Sequence, residues 1–571
     1  MTVTVTVAVA VAVAVAVAVA VAVAVAVTAT PSRGRPATPP RPIPWPPQIH
    51  RGPGASQAPM RARTPLLAAA AVAALASPAA AFCGFYVGGA GAKMFNNPTE
   101  VVLMRHGTTT VLSMENNYQG PPTDFALVVP VPVVVHEADV KTLDRALFDK
   151  IDTLGAPRLV EYWEADPCAP DYYEEDYALA GAMLDEEMAP EDDGGADAPY
   201  HVKVEARFSV AEYDIVVLSA TESTGLDRWL RDHRYQIPAA AEPLLRPYVE
   251  AGTKFFVAKV DPRKVTFKDG MATLSPLRVA YDATDFTLPI RLGLANSSGT
   301  QDLIVNILAP NNTRYEVANH PNVTIPTNLS VKDEVRERFA EFYAALFDHT
   351  LARAPGAVVT EYAWDSSSCD PCPGPTLDEN DLATLGADQL MRTYQDVSPY
   401  GFTLTRLHAR YGTDVTDDLV FRAVAPIEGG RGIPDEHGAM ATDVRTDTGV
   451  NNFQGRYVIL HPWTGAVACA SPVRGRWGGP PGNGPQIAAP VAAQNTAFAP
   501  RGQVELASLV AADVPAIGVM ASGGQTLPIP LRKGQGCTCA TGAAPTASGA
   551  ALALGTLALV VRRRRRAARR P

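Results

Sequence analysis

The chain has 571 residues, 49 Lys and Arg against 59 Asp and Glu, a formal net charge of −10 and 47% hydrophobic residues, which gives room for two or three globular domains. Residues 1–81 carry six arginines and no acid, and residues 562–571 carry seven more, so Phe82 to Val561 is left with 36 basic against all 59 acidic residues, a formal −23. A body this acidic repels phosphate backbones, which argues against nucleic acid as a partner.

The opening run "MTVTVTVAVAVAVAVA" and the Pro/Arg-rich stretch after it read as upstream sequence translated from too early a start, so residues 1–59 are expected to be a low-complexity, non-native extension. Met60 begins a better pattern. Arg61 and Arg63 form a basic end, Leu66 to Ala76 an apolar core, and Ala79-Ala80-Ala81 a small-residue box. That is the layout of a secretory signal peptide over residues 60–81, with cleavage expected after Ala81. Phe82 stands where lipoprotein processing needs a small residue, which argues against lipidation at Cys83. Cys83, Cys168, Cys369, Cys372 and Cys469 then lie in the exported body, where an oxidising compartment turns most cysteines into disulfides. Five is odd, so one cysteine stays free, pairs with the tail or pairs between chains.

The body reads mainly as strands. "VVLMRHGTTT" is a strand ending in Arg105-His106-Gly107. Those three residues resemble the signature of the histidine phosphatase and phosphoglycerate mutase superfamily, in which the His is phosphorylated and Arg side chains hold the phosphoryl oxygens. The match stops there, and a hairpin with Gly107 at its tip explains the pattern. The acid-rich "DYYEEDY" (171–177) and "DEEMAPEDDGGAD" (185–197) lack a calcium-loop spacing and read as solvated loops. "HVKVEARFSV" alternates Val202, Val204, Ala206, Phe208 and Val210 onto one face, as a half-buried antiparallel strand does. "YDIVVLSA", "TKFFVAKV", "FTLPIRLGLA" and "QDLIVNILAP" come next as strands. "STGLDRWLRDHRY" is a helix with Ser223 or Thr224 as N-cap and Leu226, Trp229, Leu230 and His233 on one face.

A second helix is expected in "SVKDEVRERFAEFYAALFDH", opened by a Ser330/Asp333 capping box and striped by Val335, Phe339, Phe342 and Leu346. "LVEYWEADPCAP" (159–170) and "VVTEYAWDSSSCDPCPGP" (358–375) echo one another, as a duplicated module or similar turn chemistry would make them. Cys369-Asp-Pro-Cys372 has the C-x-x-C spacing of thiol oxidoreductases, but Pro373 and Pro375 come at once, where such enzymes open a helix. A bridge within the pair, or bridges to Cys168 and Cys469, is the structural reading. Trp163, Trp364, Trp463 and Trp477 all fall close to a cysteine and are expected to pack on disulfides. Strands return in "GFTLTRLHARY", "DDLVFRAV" and "GRYVILHPW", and a Gly/Pro-rich loop or boundary falls at 474–486. The fold class is α+β, mainly antiparallel, with a few inserted amphipathic helices and two β-rich subdomains over 82–330 and 331–485. A C-terminal extension and linker covers 486–533. No metal or cofactor is required by any pattern, and no catalytic residue is assigned.

The segments "YQGPPTDFALVVPVP", "LDRWLRDHRYQIP", "LLRPYVEAGTKFFVAKVD", "LSPLRVAYDATDFTLPIRLGLANSSGTQDLIV", "LTRLHARY" and "GRYVILHPWTGAVACASPVRGRWGG" together resemble the bacterial domain-of-unknown-function family 2330, in order, from about Cys83 to Gly479. The resemblance implies a secreted or surface protein and a shared disulfide framework in Cys83, Cys168, Cys369, Cys372 and Cys469. It carries no catalytic residue. Residues 534–571 resemble a MYXO-CTERM sorting tag: Cys537 and Cys539, an apolar span from Ala540 to Val561, then Arg562, Arg563, Arg564, Arg565 and Arg566. The span would reach roughly 33 Å as a helix, enough to cross a membrane, and the arginines would hold its end in the cytoplasm. Signal peptidase and a membrane sorting protease are the implied partners. The leading expectation is a non-enzymatic, exported, cell-surface protein with a structural or binding role. The alternatives are an extracytoplasmic hydrolase or phosphotransfer enzyme using His106, and a thiol-redox protein using Cys369 and Cys372.

Overall fold

The computed structural model describes residues 85–88, 99–115, 117–119, 125–169, 201–233, 235, 237, 241–268, 271–296, 300–446, 448–481, 490–493, 501–502 and 504–522. The chain divides between Ala76 and Ser77, and the described residues all belong to the second unit. The expected signal segment with Ala81, Cys83, the two acidic loops and the whole tail with Cys537, Cys539 and Arg562 to Arg566 lie outside the described residues.

In chain order the principal elements are β1 (Phe85–Gly88), β2 (Thr99–His106), β3 (Thr109–Met114), β4 (Phe125–Val131), β5 (Val140–Thr142), α1 (Arg145–Gly155), β6 (Arg158–Glu164), β7 (Val202–Val210), β8 (Tyr213–Ala220), α2 (Ser223–Asp232), α3 (Ala241–Glu250), β9 (Lys254–Val260), β10 (Leu277–Asp282), β11 (Gln301–Ala309), β12 (Arg314–Val317), α4 (Phe339–Arg353), β13 (Val358–Asp365), β14 (Thr403–Tyr411), β15 (Leu419–Val424), β16 (Asn452–Gln454), β17 (Arg456–His461) and β18 (Trp477–Gly478). The class is α+β, as the strand-rich sequence implies.

A central sheet runs Glu428–Gly429, β16, β13, β14, β11, β2, β3, β10, β5. It is antiparallel except where β2 lies parallel to β11 and Glu428–Gly429 to β16, and Asn322–Thr324 adds to β13, also parallel. It takes strands from both sides of residue 330, the expected boundary between two subdomains, so that boundary lies within one continuous sheet. A second, wholly antiparallel sheet runs β1, β4, β9, β8, β7. The two pack face to face: Val101, Leu103, Leu303, Val305 and Leu407 from the central sheet meet Val129, Ile215, Val217, Phe256 and Ala258 from its partner. Helices cover both outer faces. Leu226 and Trp229 of α2 and Leu245 of α3 seal the second sheet. Phe148 and Ile151 of α1, with Leu385 and Leu390 further on, seal one half of the central sheet. Phe342, Leu346 and Phe347 of α4 seal the other half, together with Tyr457 and Ile459 from a third sheet. That third sheet runs Leu329–Ser330, β17, β6, β18, with β17 and β6 parallel.

Three local departures from the sequence expectation have physical causes. The alternation in "HVKVEARFSV" crosses a bulge between Val204 and Ala206. A bulge adds one residue and reverses the facing of the residues beyond it, so Val202 and Val204 enter the helix-covered core while Ala206, Phe208 and Val210 enter the intersheet core. In "FTLPIRLGLA" only Thr287–Leu288 is strand, and Arg291–Asn296 is a 3-10 turn. Pro289 ends the ladder, and the carboxylate of Asp418 accepts the N–H groups of Ile290 and Arg291 at 2.9 and 3.3 Å. Ser330 does not cap a helix. Its backbone is extended beside Val458 of β17, and α4 starts at Phe339 after a 3-10 turn over Asp333–Arg336. The stripe Val335, Phe339, Phe342 and Leu346 is nonetheless buried as a unit.

Candidate functional site

Arg105, His106 and Gly107 sit where β2 turns into β3, with Gly107 at φ +51° and the ring of Tyr394 where a side chain would go. The Arg105 guanidinium is buried and donates to the carbonyls of Thr108, Ala283 and Thr284 at 2.9, 3.0 and 3.1 Å and to Thr110 Oγ1 at 2.7 Å. It is therefore fully engaged in pinning the hairpin to residues 283–284. His106 turns to Asp396, 3.1 Å from Nε2, and to the edge of Tyr394. Strand alternation sends the two neighbours to different surroundings.

The main concentration of charge is buried, on the helix-covered face of the central sheet. Register places Asp302 and Asn306 of β11 opposite Arg410 and Arg406 of β14, with His408 between the two arginines on the same face. A bulge between Thr360 and Tyr362 in β13 turns Glu361 into this face. Glu361 is fully buried and takes Arg406 Nε at 2.8 Å, His408 Nδ1 at 2.7 Å and the Tyr343 hydroxyl at 2.6 Å. His408 Nε2 meets Asp302 at 3.1 Å. Arg410 and Arg501 both reach Asp302 and Asp348, and Arg406 reaches Asp152 of α1 at 2.8 Å.

Four acids, Asp152, Asp302, Asp348 and Glu361, thus meet Arg406, Arg410, Arg501 and a His408 whose two ring nitrogens both face carboxylates. Burial alone would raise Glu361, but the charges of His408 and Arg406 and the hydrogen bonds it accepts bring it down to about 2. Burial likewise opposes ionisation of Asp302, yet His408, Arg501 and Arg410 hold it well below the usual carboxylate range. Glu100, hydrogen-bonded by Asn306 at 2.5 Å, goes the other way: burial first, then the charge of Asp152, push it well above the usual value. Phe347 stacks on His408 at 3.8 Å and closes the ladder off. Its ion pairs clamp α1, α4 and the residue-501 segment to the sheet.

Two disulfides are present among the described residues. Cys168–Cys469 joins the loops that come after the parallel strands β6 and β17, across 301 residues of chain. Cys369–Cys372 closes on itself within the loop after β13, with Cys372 exposed and Cys369 half-buried against the cluster containing Trp364 and Leu377. The loop carbonyls are held from beneath: Arg158 Nη1 donates to Pro371 O at 2.9 Å, and Gln454 Nε2 donates to Asp370 O. Arg158 and its neighbour Arg456 are both buried. Their other acceptors are Leu154 O at 2.6 Å for Arg158, and Asn328 Oδ1, Tyr162 Oη and Gly432 O at 2.9, 3.3 and 2.6 Å for Arg456. Burial lowers both guanidinium groups from their usual value. Tyr362 beside Arg158 and Tyr162 beside Arg456 oppose this most, and Asp370, inside the C-x-x-C itself, opposes it to a lesser degree in each case.

Of the four tryptophans, Trp364 belongs to the cluster that packs Cys369, and its Nε1 donates to Ser368 Oγ at 3.2 Å. Trp163 instead stacks on His461 at 4.5 Å, and Trp477 Nε1 donates to Asp435 O at 3.0 Å. A cavity of about 310 Å³ opens where Leu329, Val331, Met440, Leu460, Val514 and Pro515 converge, with Ser330, His437 and Asp513 also lining it. Lys332 turns its ammonium away to Ser508 O and Ser522 O, and Asp513 accepts Ala521 N–H, which leaves the walls mostly apolar. Among the described residues no cluster of His, Cys, Asp or Glu could hold a metal ion, and no helix is long and apolar enough to cross a membrane.

No curated protein and no solved structure matches the chain. The family described as "Uncharacterized protein conserved in bacteria (DUF2330)" matches residues 77–422. That span holds the second sheet, the central sheet apart from Glu428–Gly429 and β16, the Arg105 hairpin, the bulge at Glu361 and the Cys369–Cys372 loop, whereas Arg456, Cys469 and the cavity residues His437, Met440, Leu460, Asp513, Val514 and Pro515 lie beyond it. With more than half of its length matched, the protein belongs to this bacterial family, DUF2330.

Proposed function

We propose that the protein is exported and held at the cell surface, and that it acts as a structural or binding component, not a catalyst. The observation that carries the reading is the Cys168–Cys469 bond, because disulfides persist in oxidising compartments and are rare in the cytosol. The signal pattern over residues 60–81 and the Cys537/Cys539 tail with its arginine block supply a route: signal peptidase at Ala81, then a membrane sorting protease near the tail cysteines. The cavity beside Leu329 and Val331 is the place where a small apolar ligand would bind.

Mass spectrometry of protein recovered from envelope fractions, with thiols trapped by alkylation at lysis, tests the reading. The expected result is Phe82 as amino terminus, no peptide from residues 1–59, no peptide beyond the tail cysteines, and Cys168 joined to Cys469. Recovery in the cytosol with alkylated Cys168 and Cys469 would overturn it.

A further inference from the structure

Arg158 and Arg456 are two buried guanidinium groups that no ion pair explains. Among the described residues neither has a carboxylate within ion-pair distance, and Arg158 Nε has no hydrogen-bond partner at all. Buried charge without a counter-ion is costly: Arg406 is paired with Asp152 and Glu361 and Arg278 with Asp388, whereas Arg158 and Arg456, like Arg105, hold neutral acceptors, and Arg158 also lies over the Tyr362 ring. Above these two lies the loop of Cys369 and Cys372, its Pro371 carbonyl bonded to Arg158. A thiolate formed in that loop would add to the weak opposing charge of Asp370. A disulfide spanning three residues also constrains the unfolded chain far less than one spanning 301, so holding the fold together does not account for it.

We propose that Cys369–Cys372 is an exchange-competent redox centre that takes two electrons from an external thiol, with Arg158 and Arg456 as positioning residues that stabilise the thiolate form of Cys369. Cys372, the exposed partner, is the sulfur attacked. An incoming thiolate forms a bond to Cys372 Sγ, the Cys369–Cys372 bond breaks, and its electron pair leaves on Cys369 Sγ, in the loop whose Pro371 carbonyl Arg158 holds. A second external thiolate attacks the sulfur of the first, releases Cys372 as a thiolate that takes a proton from solvent, and departs as the external disulfide. Two thiols are oxidised to one disulfide and the cysteine pair is reduced to two thiols. Low thiolate pKa in the leaving group speeds such exchange and favours the reduced form. The chemistry does not depend on where the chain resides, so it stands or falls separately from the export reading.

The test is a redox titration of the purified full chain in glutathione buffers, with both disulfides read by differential alkylation and mass spectrometry. Cys369–Cys372 is expected to become half reduced at a glutathione ratio at least tenfold more oxidising than Cys168–Cys469 needs, with a glutathione adduct trapped on Cys372. Asp370→Asn, at an exposed position that removes the competing negative charge, should shift that midpoint several-fold further and move the pH profile of Cys369 alkylation down. Arg158→Lys should retain most of the shift and Arg158→Met should lose it. Parallel reduction of the two disulfides, or an Asp370→Asn variant with midpoint and alkylation profile unchanged, would overturn the proposal. Because Asp370 is exposed, that arm remains decisive even where an Arg158 variant fails to fold.

Discussion

At the level of single residues, Glu361 organises the interior. It is an acid in a sheet core, tolerable because Arg406, His408 and Tyr343 converge on it. Removing one member of a buried ionic set leaves its partners unpaired, typically at 3–5 kcal/mol. Glu361→Gln is therefore expected to cost about 3 kcal/mol in urea denaturation, and Tyr343→Phe about 1 kcal/mol, the loss of one hydrogen bond. The pH dependence has a definite sign. A carboxylate whose folded value is depressed to about 2 contributes stability that is complete above its unfolded value near 4.3 and is lost as pH falls toward 2. Denaturation midpoints should be flat from pH 7 to 5, fall between 4.5 and 2, and fall less steeply in Glu361→Gln; equal slopes would mean that Glu361 has no part in the acid sensitivity. In the sequence this ladder is half legible. "LTRLHARY" shows Arg406, His408 and Arg410 two apart, which strand alternation puts on one face, but that pattern ordinarily marks a solvated face. Their burial depends on α4 lying across them, and Glu361 reaches them through a bulge that no spacing announces.

At the level of elements, strands with clean alternation or continuous apolar runs were readable, because their burial follows from their own residues. All nine positions of β11 are buried, as a run such as "DLIVNIL" demands of a strand covered on both faces. Boundaries and facings set by a distant partner were not. Ser330 is extended because β17, more than a hundred residues later, pairs with it, and the bulge in β7 divides one apolar alternation between two cores. Helix α1 has an Asp144 cap bonded to Ala146 N–H and buries Leu147, Phe148, Ile151 and Leu154. That periodicity was available in the sequence and marks a helix the strand pattern obscured. Of the helices, α4 bridges two sheets through Phe342, so Phe342→Ala should cost about 3–5 kcal/mol by calorimetry or urea titration. A change below 1 kcal/mol would mean that α4 docks without that ring. The two echoing segments each end a helix–strand unit in a cysteine loop, α1–β6 with Cys168 and α4–β13 with Cys369, yet their strands join different sheets.

For the molecule as a whole, the two disulfides are unequal. On loop-closure entropy alone the long bridge stabilises the fold by about 6 kcal/mol and the short one by about 2 kcal/mol. Replacing Cys168 and Cys469 by Ser should lower Tm markedly more than replacing Cys369 and Cys372, and equal losses would mean that strain or denatured-state structure dominates. The same long connections govern how the protein is made. Strand β2 waits for β11, about two hundred residues downstream, and β6 waits for β17, about three hundred downstream. Pairings so remote in sequence form late and slowly, so the central sheet cannot close before β16 (Asn452–Gln454) has been made, nor the third before β17. Until then the apolar run of β11 has no partner and is open to aggregation. On the export proposed above, threading through a membrane before folding would lose nothing by this delay, and refolding of the purified chain from urea should take seconds rather than milliseconds.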